Sequence, residues 1–294
     1  MVNVLLGTAI GDALGKFAES KPANYPPLLN WDGKTFLPSE HHNLAANAFT
    51  DDTQFSITLA QSLIDCNGFD PDDISKRYVE LFTSNTIRGY GRTTLMAIEN
   101  LQAGHHWSVS GILGSWGNGT AMRAAPFGVF YKDDLYGLIE AATIDAKITH
   151  NSVEAVAGSL AIALAVYFII NKNEHSMIDN IVYHLPESEV KNKLLSLPSL
   201  LLSDKTPTET LQIIDTKADV RCAVPVALYC YLKFKNYPDA IVAAIRGGKD
   251  TDTNSAITGA LCGAKYDMQG IPQEWINQIE DRDKLINLDS QLIA

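Results

Sequence analysis

An all-α fold is the architecture this sequence predicts, and three observations carry the prediction. Apolar residues recur at helical spacing, as Ile74, Tyr78, Leu81 and Phe82 do. Alternation of apolar and polar residues, the mark of a half-buried strand, is scarce. Segments 3–20 and 255–264 are rich in glycine and alanine, as helices packed closely among others are. With 294 residues, 46% of them hydrophobic, the chain can bury one large core, and no composition shift divides it. A single domain over 1–294 is therefore expected.

In chain order, the first segment sets Gly7, Gly11 and Gly15 four residues apart, lining one helix face with bare backbone. Each glycine costs a helix on the order of 1 kcal/mol against alanine, so close packing must offset the loss. Glu19 continues the stripe with Asp12 near it. An inward carboxylate and a solvated last-turn residue both satisfy that pattern. Residues 21–49 have no sustained period and read as an irregular loop able to rim a pocket. His41 and His42 within it read as loop residues rather than ligands.

A helix is expected over 53–65, and Asp70-Pro71 opens another. Arg88-Gly89-Tyr90-Gly91-Arg92 is a glycine-flanked loop before a helix over 93–103. Ser115-Trp116-Gly117-Asn118-Gly119-Thr120 leads into a helix at Ala121-Met122-Arg123 that Pro126 closes or kinks. Both loops could offer N–H groups to a phosphate, although ordinary turns account for either alone. His150 precedes a long apolar helix over 155–170, where a lone histidine is more often a cap or a surface residue. That helix is shorter than the ~20 residues of a membrane span and reads as a buried core element. Amphipathic runs over 177–217 are broken by Pro186, Pro198 and Pro207. Core helices follow over 220–232, with Pro225 in its first turns, and over 238–244; Gln269 to Trp275 turns into a last helix.

Composition excludes some functions. A formal charge of -11 gives no sequence-independent grip on nucleic acid. Cys66, Cys222, Cys230 and Cys262 form no CxxC pattern, which predicts reduced thiols and a cytoplasmic protein. Gly11-Asp12 interrupts the N-terminal apolar run, so no leader and no membrane association are expected.

The chemistry concentrates in Thr50-Asp51-Asp52-Thr53 and Asp250-Thr251-Asp252-Thr253. Each precedes a helical pattern, and one acid or threonine at such a start is ordinary capping. Together they offer four carboxylates and at least four hydroxyls, more than two caps use, and such crowding is unfavourable without cations. Oxygen donors suit Mg²⁺, Mn²⁺ or Ca²⁺ better than zinc. An extended approach to the second helix would aim Asp250 and Asp252 the same way.

These motifs in this order resemble the ADP-ribosylglycohydrolase family. The likeness rests on Gly7-Thr8-Ala9-Ile10-Gly11-Asp12-Ala13-Leu14-Gly15 with Glu19, on both acidic runs, on Gly89-Tyr90-Gly91-Arg92-Thr93, on Gly117-Asn118-Gly119-Thr120-Ala121-Met122-Arg123 and on Thr149-His150. The resemblance implies a compact all-α orthogonal bundle with two Mg²⁺ or Mn²⁺ ions and a cleft for ADP-ribose. It implies Thr50, Asp51, Asp52, Asp250, Asp252 and Thr253 as metal ligands and Glu19 as a mobile gating carboxylate. Glu19 or Asp52 would then transfer the proton. Gly89, Tyr90, Gly91, Ser115, Trp116, Gly117, Asn118, Gly119, Met122 and His150 would contact substrate. Hydrolysis of the bond between ADP-ribose and its acceptor is expected, with arginine-linked protein favoured and a monomer as the working form. The alternatives are a non-catalytic crystallin-like or ADP-ribose-binding member, or a hydrolase of a free ADP-ribosyl metabolite. Two departures from the family pattern stand out: Lys249 and Asp267 each replace a usual glycine.

Overall fold

A computed structural model describes residues 2–84, 86–266 and 268–294, and Asp267 lies outside the described residues. Seventeen α-helices, numbered here in chain order, occupy most of the described chain, alongside four strands of two residues each. The all-α expectation holds.

The core is organised on α1 (Val4–Gly15), every residue of which is buried, packed against α15 (Thr251–Lys265). The glycine stripe makes the seam. A Cβ built on Gly7, Gly11 or Gly15 would fall 2.2, 2.1 and 2.3 Å from the carbonyl oxygens of Gly259, Ser255 and Thr251 respectively, so only bare backbone permits this approach. Polar side chains knit the seam where the backbones meet. Thr251 Oγ1 donates to the Gly15 carbonyl and Ser255 Oγ to that of Gly11, both at 2.7 Å.

Around this pair stand α13 (Val220–Lys233), α14 (Tyr237–Arg246) and α9 (Val153–Ile170) on the α15 side, with α3 (Asp51–Cys66) and α17 (Arg282–Leu292) on the α1 side. Among the described residues α9 alone is long and apolar enough to cross a membrane, and 83% of that span is buried inside the protein. From α17, Asp289 reaches back to accept the N–H groups of Leu5 and Leu6 at 2.9 and 3.1 Å. It thereby satisfies donors that the first turn of α1 leaves free.

Some boundaries differ from the sequence reading. Both acidic runs lie inside helices rather than ahead of them: α3 starts at Asp51 with Thr50 as N-cap, and α15 starts at Thr251 with Asp250 as N-cap. Asp250 and Asp252 are thus cap and first-turn residue, not an extended pair. Residues 118–123 are turns, and Pro126 sits in the first turn of α7 (Ala125–Phe130), so it opens a helix instead of closing one. The end of the chain holds two helices, α16 (Gln273–Gln278) and α17, where one was expected.

The short strands staple loops to the site. Lys21–Pro22 pairs antiparallel with Gly248–Lys249, tying the segment after Glu19 to the segment before Asp250. Ile112–Leu113 pairs parallel with His150–Asn151, bringing the Ser115 loop beside His150.

Candidate active site

Two hundred residues apart in sequence, the acidic runs meet. Thr253 Oγ1 lies 3.3 Å from Asp52 Oδ1, within hydrogen-bond reach. Donor oxygens of Glu19, Asp250 and Asp252 lie within 4.8 Å of one another. What aims α3 at this point is Asp12, which is wholly buried. Its carboxylate accepts Thr50 N at 3.0 Å and Thr53 N at 3.2 Å, together with the hydroxyls of Thr50 at 3.0 Å and Thr53 at 2.6 Å. One side chain of α1 therefore caps α3 from outside.

The electrostatics of this cluster are unfavourable as they stand. Burial, and then the neighbouring carboxylates, push Asp51, Asp52 and Asp252 well above the usual carboxylate range. Burial and the Glu19 charge push Asp250 up to about 7, against the hydrogen bond it accepts from Asn118 Nδ2 at 2.6 Å. Asp12 is raised by burial despite its four donors. Glu19 is the exception: burial pushes it up, but the hydrogen bond and charge of His42 outweigh that and leave it below its ordinary value. Asp52 Oδ2 and Asp252 Oδ1 are buried without a hydrogen-bond partner among the described residues. Orphaned oxygens of this kind are costly unless a cation takes them. Hard oxygen donors, crowded acids and unpartnered lone pairs fit a divalent cation of the Mg²⁺ or Mn²⁺ class.

The acids floor a cleft of about 250 Å³. Its walls are Gly89, Gly91, Arg92, Thr93 and Thr94 together with Gly117, Asn118, Gly119, Met122, His150 and Ala218. His150 is a buried wall residue and the C-cap of α8 (Leu135–Thr149), its N–H donating to the Ala146 carbonyl, not a surface residue. Burial and then the Arg123 charge push it down to about 3, so it stands neutral, with Nδ1 2.9 Å from Thr149 Oγ1. A Cβ on Gly117 or Gly119 would come within 2.9 Å of its ring, so those glycines give the imidazole its place. Behind it, Arg123 is fully buried. It donates to the Gly119 carbonyl at 3.0 Å, to Asp145 Oδ2 at 2.9 Å and to Thr149 Oγ1 at 2.9 Å, which fixes both the glycine loop and the turn before His150.

Comparison with known proteins shows the family. The family model described as ADP-ribosylglycohydrolase matches residues 1–294. The chain belongs to the ADP-ribosylglycohydrolase family. A protein of Archaeoglobus fulgidus is 30% identical, the match covering 99% of this chain and 94% of that one. ADP-ribosylhydrolase ARH3 of Gallus gallus is 26% identical, over 94% and 88% of the two chains. An ADP-ribosylarginine hydrolase of Pseudomonas putida is also 26% identical, over 94% and 72%. Among solved structures, an ADP-ribosylglycohydrolase-related protein complex superposes with a TM-score of 0.75 at 25% identity, covering 99% of this chain and 95% of that one.

The structure gathers Glu19, Asp51, Asp52, Asp250, Asp252 and Thr253 around the cleft with Gly89, Gly91, Gly117, Asn118, Gly119, Met122 and His150. Thr50 stands just behind, its hydroxyl donating to Asp12. Tyr90, Ser115 and Trp116 do not line the cleft. Tyr90 packs on Phe82, with centroids 4.7 Å apart, Ser115 Oγ bonds Thr93 Oγ1 at 3.0 Å, and Trp116 lies half-exposed under the Arg221 guanidinium at 3.8 Å. Beyond the expected site residues stand Arg92, Thr93, Thr94 and Ala218 in the walls, Asp12 behind the acids, and His42, which the sequence reads only as a loop residue but whose Nε2 contacts Glu19 and lies 3.9 Å from Asp252 Oδ2. Lys249, where the family pattern has glycine, adopts φ +63°, a conformation glycine takes without penalty, and its ammonium pairs with Asp215 at 2.6 Å rather than with the site acids.

Proposed function

We propose that this protein hydrolyses the bond between C1″ of an ADP-ribosyl group and its acceptor, with arginine-linked ADP-ribose on protein as the favoured substrate. The observation that carries the reading is the convergence of Asp52 and Thr253 at 3.3 Å beside orphaned oxygens of Asp52 and Asp252, at the floor of a glycine-walled cleft. The arginine preference follows the Pseudomonas putida relative, an ADP-ribosylarginine hydrolase. Thr50, Asp51, Asp52, Asp250, Asp252 and Thr253 would hold two Mg²⁺ or Mn²⁺ ions, which supply charge neutralisation, polarisation of the ribose hydroxyls and a lowered pKa for bound water.

The chain's own residues supply the rest. Glu19, kept as a carboxylate by His42, is at once beside the acidic floor and within the cleft, so it is the group placed to accept and return a proton at Oε1 or Oε2. Asp52 is more deeply buried and tied to Thr253, which suits holding ions over proton transfer. Neutral His150 and the Gly117 to Gly119 backbone orient the sugar and diphosphate without adding a further positive charge to the site. Free thiols and a cleft complete within one chain support a cytoplasmic monomer.

A panel of arginine-, serine- and acetyl-linked ADP-ribose, assayed for ADP-ribose release with Mg²⁺, with Mn²⁺ and after chelation, tests the reading. Arginine-linked substrate should turn over fastest, and only with the ions. Equal rates after thorough chelation defeat the metal-dependent reading; no release from any linkage defeats hydrolysis.

A further inference from the structure

A second set of ligand side chains adjoins the acidic cluster and shares Glu19 with it. His41, His42 and Glu19 each offer a donor atom, and the three atoms lie within 4.8 Å of one another. The two imidazoles meet edge to face with centroids 4.6 Å apart, and His42 Nε2 contacts Glu19 Oε2. Their loop is held from several directions. Ser39 and Leu44 exchange two backbone hydrogen bonds of 3.0 Å, and His42 N donates to Ser39 Oγ at 3.3 Å. The buried ammonium of Lys16 donates to the Leu37 and Ala46 carbonyls at 3.2 and 2.7 Å, pinning both flanks of the loop to the end of α1. Gly89 has φ +71°, and a Cβ there would fall 2.8 Å from His42 Cε1, so a residue without a side chain leaves room for the ring.

This donor set differs in kind from the floor of the cleft. Two imidazoles and one carboxylate select a borderline ion such as Zn²⁺ over Mg²⁺ or Ca²⁺. Tetrahedral donors on Zn²⁺ stand about 3.4 Å apart, given bonds of roughly 2.0–2.1 Å. To reach that spacing the direct His42 to Glu19 contact opens to admit the ion and exposed His41 turns inward, both by side-chain rotation. Glu19 is also shared: its carboxylate belongs equally to the group it forms with Asp250 and Asp252.

We propose that His41, His42 and Glu19 bind one Zn²⁺, with water as the fourth ligand, and that this ion draws Glu19 to the histidine loop and so inhibits the enzyme. The binding stands on these residues alone, whereas the inhibition rests on the hydrolase reading above.

Calorimetric titration of the full chain with Zn²⁺ under saturating Mg²⁺ tests it, comparing wild type, His41→Ala and the double variant Asp250→Asn/Asp252→Asn. Wild type and the double variant should each bind one Zn²⁺ with similar affinity. His41→Ala should bind it more weakly by at least about ten-fold, since even outer-shell partners are worth that much. Co²⁺ used as a visible-absorbing substitute should show the four-coordinate band in wild type and lose it in His41→Ala. Without Zn²⁺, His41→Ala should turn over as wild type does, and it should resist Zn²⁺ when the ion is added. Zn²⁺ binding that survives His41→Ala but disappears in the double variant would place the ion in the acidic floor and overturn the site. Binding as expected with turnover untouched overturns the competition for Glu19. A wild type with no turnover at all sinks the hydrolase reading instead, and the calorimetric result stands independently of it.

Discussion

Alanine at Gly15 should lower both stability and metal affinity, whereas alanine at Gly7 should lower stability alone. A Cβ at Gly7 would lie 2.2 Å from the Gly259 carbonyl oxygen, and one at Gly15 would lie 2.3 Å from that of Thr251 and 2.4 Å from Ser255 Oγ. Carbon and oxygen need more than about 3 Å, so either change forces α1 and α15 apart by on the order of 1 Å. Overpacking of this kind costs ~1–3 kcal/mol, and the helix propensity alanine gains over glycine returns at most ~1 kcal/mol. A net loss of about 1–2 kcal/mol is expected in each variant. The two clashes differ in what lies next to them. Thr251 is flanked by Asp250 and Asp252, while Gly259 sits about 12 Å further along the helix at 1.5 Å per residue. Metal sites hold their distances to about 0.2 Å, so a shift at Thr251 disrupts the cluster and a shift at Gly259 does not. Urea unfolding of the metal-free proteins gives the stability difference, and Mg²⁺ calorimetry gives the affinity: a fall of about ten-fold or more at Gly15, little change at Gly7. Variants stabilised by ~1 kcal/mol, as helix propensity alone predicts, would refute the close seam. Equal Mg²⁺ affinity in the two variants would refute its link to the site.

Three further outcomes follow from the same geometry. Asp252→Asn should raise the melting temperature of the metal-free protein, because burial and then the charges of Glu19, Asp250 and Asp52 oppose the carboxylate, and it should remove the rise that Mg²⁺ produces in wild type; melts with and without chelator check both. Asp289 is pushed up to about 7 by burial, so its contribution is full below its unfolded value near pH 4 and lost as pH rises through about 7, about 4 kcal/mol by linkage. Asp289→Asn should therefore flatten the fall in urea stability between about pH 4 and about pH 7 measured in saturating Mg²⁺, and an unchanged slope would assign that fall to other groups. At position 249, glycine should be more stable than alanine by about 1 kcal/mol, since φ +63° strains any residue with a Cβ, with turnover close to wild type in both because the Lys249 to Asp215 pair is half-exposed and outside the cleft.

Much of the site was legible because its signals are local. Two helix starts use two capping side chains, so four carboxylates there marked a surplus whose purpose had to lie in the fold. Glycines four apart define a helical face, and the seam formed where that face pointed. What escaped was whatever depends on a contact between remote segments. His42 lies in a loop without period, and its place beside Glu19 is set by Lys16, Ser39 and Gly89. Adjacency to His41 carries no hint of that. The helix starts at Asp51 and Thr251 precede the expected 53 and 255, because a run of donors reads equally as an extended approach and as the aspartate and threonine that a first helical turn favours. Asp12 did leave a trace. Every other residue from Val4 to Gly15 is apolar, small or a threonine that bonds its own helix. A carboxylate amid them has no solvent face to occupy and must be satisfied from within. Its donors turn out to be the backbone and hydroxyls that start α3, so the sequence GD in the middle of α1 encodes the direction of a helix that begins 39 residues later. The same logic explains why the seam carries so little chemistry of its own. Carboxylates that repel one another stay together only if the elements bearing them cannot part, and α1 and α15, in backbone contact along Gly7, Gly11 and Gly15 and pinned by Thr251 and Ser255, leave them no room to do so.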